Sequence, residues 1–194
     1  MGRVIDLIGI IFICILGTLG HFLYEWSNHN KVLGILCAVN ESTWEHIKLA
    51  IGPTFLWMII EVPFIYTNDN FLFAKCVSLL VMMIVMPVMF YTYKIFSDKH
   101  NLPYTIFIFI VSIALGQLCS YYILKMNAVN FMVNYISLII IVIIFACYIA
   151  LSFFPLENEI FKDPVSNKYG FDAHREYHSL KSKIKKIVKH EHNH

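Results

Sequence analysis

Five apolar runs, over residues 4–24, 43–66, 71–96, 103–124 and 131–154, alternate with short polar turns and leave this chain few ways to fold. A bilayer core about 30 Å thick takes about 20 helical residues to cross. Inside it, only helices and closed barrels satisfy their own backbone groups. The expected fold is therefore all-α: a polytopic membrane helix bundle of about five transmembrane helices. Residues 32–39 are apolar but too few to cross, and read as a short re-entrant or interfacial segment after the first span. Composition agrees, with 58% of residues hydrophobic and 14% charged, against roughly 45–50% and about 25% in soluble domains. The bundle takes up residues 1–155 and a polar tail residues 156–194, which leaves no room for a large soluble domain.

The first run has the position of a signal peptide, but it is longer than an h-region of about 7–15 residues and no small-x-small cleavage site follows. It is expected to remain as a helix, packing through Gly9, Gly17 and Gly20. Pro53 and Pro63 predict kinks in the second span. Cys14, Cys37, Cys76, Cys119 and Cys147 stand singly with no CxxC spacing, so they read as small buried apolar side chains.

Charge distribution sets the expected topology. With five spans, the turns near Lys31 and Lys99 and the lysine-rich tail share one side, which the positive-inside rule makes cytoplasmic. The N-terminus is then outside in a multi-pass cell-membrane protein. In the tail, Asn167-Lys-Tyr-Gly170 is expected to reverse the chain. Residues 176–190 read either as a basic amphipathic helix lying on an anionic surface or as a solvated tail. The expected partners are membrane lipids, their anionic headgroups met by the lysines, and a further copy of the chain; no nucleic acid is expected.

This topology gathers the ionisable groups at one face. His21, Glu25, His29, Glu41, Ser42, Glu45, His46, Asp98, His100, Asp163, Asp172 and His174 all fall at or near the cytoplasmic ends. His21, Glu25 and His29 are spaced by four and share one stripe if the helix continues, which makes them candidate ligands for a divalent metal. Glu41, Glu45 and His46 are the candidate catalytic groups, because partly buried carboxylates and imidazoles suit acid/base work. A structural reading competes: Ser42-x-x-Glu45 fits a capping box, and Trp44 and Lys48 fit interface anchors. Within the spans, Glu61 either reaches the outer interface or, with Gln117, lines a path. Gln117 also suits a role as glue between helices.

The pattern His21-Phe-x-Tyr24-Glu25-Trp26-Ser-x-His29, then Val39-Asn40-Glu41-Ser42-x-Trp44-Glu45-His46-x-Lys48 and Asp163-Pro164-x-x-x-Lys168-Tyr169-Gly170 before His174, resembles a family of small bacterial integral membrane proteins of unknown function. The resemblance implies a membrane location and no activity. Ceramidase-like membrane hydrolases are also similar in pairing histidines with acidic and serine residues. They have seven spans and a histidine pair in a late helix, whereas span five here has no histidine. Three functions stay open: a membrane-embedded enzyme, metal-dependent or not, acting on a lipid or lipid-linked substrate; a small transporter or channel subunit; or a non-catalytic scaffold. The clustering at one face favours the enzyme, since transporters place polar groups near the midplane.

Overall fold

The computed structural model describes residues 5–65, 67–97 and 102–173. These form α1 (Ile5–Trp26), the single turn α2 (Leu33–Leu36), α3 (Thr43–Ile65), α4 (Phe71–Phe96), α5 (Leu102–Ile123) and α6 (Phe131–Phe153). Five of them are long and apolar enough to cross a membrane. Asp98, His100, His174 and the basic helix expected over 176–190 lie outside the described residues.

The helix α3 is the centre of the bundle: over half of its apolar window is buried, 56%, against 28% for α1 and for α6. It packs on α1 and α4, α1 and α4 both pack on α5, and α6 lies against α4. Burial is arranged as a lipid solvent requires. Large apolar side chains such as Ile11, Ile15, Ile59, Val142 and Ile143 face outward, while Asp6, Glu61, Lys75, Gln117 and Ser112 are fully enclosed. Charge is costly against hydrocarbon, so it turns inward and pairs.

Gly17 sets the α1–α3 contact. A Cβ there would run into the Leu49 carbonyl oxygen and meet the ring of Phe109 on α5 at 2.6 Å. Pro53 has no N–H to offer the carbonyl four residues back, which is that of Leu49. Close approach by a glycine backbone therefore falls on a turn of α3 that proline leaves short of a donor. The helix nevertheless runs unbroken through both Pro53 and Pro63.

At the bundle end carrying residues 67–70 and 124–130, Asn70 joins two turns. Its side-chain amide donates to the carbonyls of Ile123, Met126 and Asn127 at 3.0–3.2 Å, and its oxygen accepts the Val129 N–H at 2.8 Å. At the other end, residues 156–173 fold back across the start of α3. The Trp44 N–H donates to the Ile160 carbonyl at 2.9 Å. The Trp44 ring packs on Phe161, with centroids 5.0 Å apart. The chain reversal is closed by the Asp163 N–H on the Lys168 carbonyl at 2.9 Å, with Asn167 at φ 59° and Gly170 at φ 51°.

Candidate functional site

The segment 40–48 is held from two sides. From the tail, Asp163 Oδ1 accepts the Glu41 N–H at 3.0 Å, and the Gly170 carbonyl accepts from the Asn40 amide at 3.0 Å. Asp163 Oδ2 is taken at 2.7 Å by both the N–H and the hydroxyl of Ser166, so this carboxylate fastens tail to helix. From within, Lys48 is fully buried and donates to the Gly34 carbonyl at 2.9 Å and to Glu45 Oε2 at 3.0 Å. The same Glu45 oxygen accepts the Val39 N–H at 3.0 Å. Glu45 and Lys48 thus pin the α2 segment against α3, and Glu45, one of the two carboxylates expected to be catalytic, is occupied by backbone and ammonium.

Half of the expected capping box forms. Ser42 Oγ accepts the Glu45 N–H at 3.4 Å, but Ser42's own N–H is taken by Asn40 Oδ1 at 2.8 Å. Glu45 is left free to reach the Val39 N–H instead. Trp44 and Lys48 lie inside the protein rather than at an interface, because residues 156–173 cover the one and α2 covers the other.

The histidine stripe divides where α1 ends. Trp26 is its last helical residue, and Asn28 and His29 take φ of 55° and 65°. This left-handed exit turns the chain off the helix axis. His29 Nε2 still meets Glu25 Oε2 at 3.3 Å. His21 lies across the bundle instead, with Nε2 3.5 Å from Glu41 Oε1. Among the described residues, no group of three His, Cys, Asp or Glu side chains is arranged to hold a metal ion.

What the fold does assemble is His21 from α1, His46 from α3 and Glu41 from the turn before it. The two imidazole centroids are 5.7 Å apart, and His46 Nε2 lies 3.9 Å from Glu41 Oε2. His46 Nδ1 is 2.9 Å from the Ser42 carbonyl. A carbonyl only accepts, so Nδ1 carries the proton and Nε2 is the basic nitrogen. A basic nitrogen and a carboxylate oxygen at that distance suit a bridging donor such as water. A cavity of about 20 Å³ lies beside them, lined by Glu41, Thr43, His46, Thr105 of α5 and apolar side chains of α4 and α5. Its volume is that of about one water.

Outward of Glu41 and Thr43 is a cleft of about 230 Å³ whose rim carries Lys94, Lys162 and Glu159. Lys94 lies over the rings of Phe90 and Tyr91 at 5.6 and 5.9 Å. Lys162 pairs with Glu159 at 3.6 Å. Sequence reasoning missed Thr43, Lys94 and Lys162 because they are scattered along the chain. Outside the long helices, burial pushes the Cys37 thiol up to about 11, against the pull of Lys48 nearby.

The sequence pattern of DUF6512, a family of unknown function, matches residues 3–171. Its extent runs to just beyond the Asp163–Gly170 reversal that closes over the site. No curated protein matches, and no solved structure does.

Proposed function

The chain belongs to this family of unknown function, and we propose that it is a membrane-embedded enzyme that attacks the headgroup of a lipid or lipid-linked substrate with an activated water. The cleft between the ends of α3 and α4 and the tail takes the headgroup, with Lys94 and Lys162 toward its phosphate. His46 Nε2 and Glu41 draw the proton from a water in the small cavity, and His21 shares the load on Glu41. Thr43, which lines both spaces, is placed to contact the substrate oxygen. The reading places this end of the bundle at the cytoplasmic leaflet, following the excess of lysine on that side.

One observation carries it: the Ser42 carbonyl fixes His46 so that its basic nitrogen faces a carboxylate beside a water-sized space. A residue serving only as an interface anchor has no need of that tautomer. The test is turnover by purified protein in vesicles of phosphatidylglycerol, phosphatidylethanolamine or phosphatidic acid, read by mass spectrometry. Headgroup or phosphate released from the lipid by wild type through cleavage of a headgroup phosphate ester, and lost in folded His46→Ala and Glu41→Gln variants, supports the enzyme. No product from any of these lipids, or equal product from the variants, overturns it. A divalent metal is tested in the same assay by adding and chelating it.

A further inference from the structure

The far end of the bundle holds a second polar centre. Asp6 on α1, Glu61 on α3 and Lys75 on α4 are all fully buried. Lys75 Nζ bonds Asp6 Oδ1 and lies 2.5 Å from Glu61 Oε2. From α5, the Ser120 hydroxyl donates to Asp6 Oδ1 at 3.0 Å. Glu61, Lys75 and Ser120 sit about one turn inside the end of α3, the start of α4 and the end of α5, and Asp6 lies in the first turn of α1, which is close to one depth in an up-and-down bundle.

Among the described residues, charge does not balance there. Two carboxylates face one ammonium, and α6, which packs on α4, has no charged residue. A surplus charge without solvent is costly enough that the group neutralises instead. Lys75 Nζ sits against both Asp6 Oδ1 and Glu61 Oε2, and its one positive charge offsets one carboxylate. The other carboxyl is neutral only when it carries a proton. Asp6 Oδ2 and Glu61 Oε1 have no hydrogen-bond partner among the described residues. A metal ion has no place between them, since the lysine ammonium already sits there. Gln117, one turn before Ser120 on the same face of α5, is fully buried and has both amide atoms unpartnered. It extends the polar line inward.

We propose that Asp6, Glu61 and Lys75 form a proton-binding site that takes up and releases one proton, held on the carboxyl that Lys75 does not offset. On uptake an O–H bond forms on that carboxyl; on release the proton passes to water. A titrating group at this depth makes the bundle responsive to pH from the end opposite the headgroup cleft.

The test is pH-difference infrared spectroscopy of the full chain in vesicles. Wild type is expected to show a protonated-carboxyl carbonyl band that disappears reversibly as pH rises, absent in Glu61→Gln. Ser120→Ala, which removes one donor from the Asp6 carboxylate and nothing else, is expected to keep the band and move its disappearance to higher pH. A band that persists in Glu61→Gln, or one that Ser120→Ala does not move, overturns the proposal. If Glu61→Gln does not fold, the Ser120→Ala shift decides alone.

Discussion

The backbone N–H of Glu41 donates to Asp163 Oδ1 at 3.0 Å, joining positions 122 residues apart. The bond places the tail over the start of α3 and holds the Glu41 carboxylate between His21 and His46.

Asp163→Ala therefore removes the acceptor for Glu41 and for both Ser166 donors. The expected cost is about 1.5–3 kcal/mol, the range for a hydrogen bond to a charged group. Thermal unfolding in detergent should show a lower midpoint. Lipid turnover should fall further than stability alone explains, because Glu41 is no longer fixed.

Lys48→Met leaves the Glu45 carboxylate buried with only the Val39 N–H. Removing one partner of such a pair costs roughly 3–5 kcal/mol. Adding Glu45→Gln should recover much of that loss, since a neutral amide tolerates the site. A double-mutant cycle in denaturant reads the coupling, and additive effects would show that the pair is not acting as one.

Gly17→Val drives a side chain into the Leu49 carbonyl and Phe109. Overpacking of this kind costs about 1–3 kcal/mol, and α1 must move away from α3. His21 rides on the next turn of α1, so its contact with Glu41 should loosen. Thermal unfolding and a His21–Glu41 double-mutant comparison in turnover would both register the change.

Cys37 should resist alkylation in the folded protein. The thiolate is the reactive form, and burial holds the thiol neutral until pH approaches about 11. Labelling should stay slow at pH 7–9 and rise about tenfold per pH unit until then, as the thiolate fraction does. Mass spectrometry after iodoacetamide treatment, with and without denaturant, checks this. Fast labelling of folded Cys37 at neutral pH would contradict it.

Helix positions were readable because they depend on local properties. Runs of apolar residues of bilayer length, with Asn and Pro at their edges, mark spans without knowledge of neighbours. The expected limits of 43–66 and 71–96 compare with Thr43–Ile65 and Phe71–Phe96. The density of polar residues over 40–48 likewise singled that stretch out as a candidate site. Their division of labour was not readable. Glu41 and Glu45 are both acidic and one turn apart, yet one faces two histidines and the other a buried lysine. The difference comes from α2 and residues 156–173, which occupy opposite sides of that turn.

The Asp6–Glu61–Lys75 centre shows the same limit from the other direction. Alternating spans already put these residues at one depth, and that signal was available from the sequence. Whether they touch depends on how each helix is rotated about its axis, and that rotation is set by packing such as Gly17 on Leu49. The sequence by itself determined an all-α chain with five membrane-length helices and a polar patch before the second. Only the tertiary structure decided which charges pair, because pairing between helices depends on their relative rotation and on a tail that returns from more than a hundred residues away.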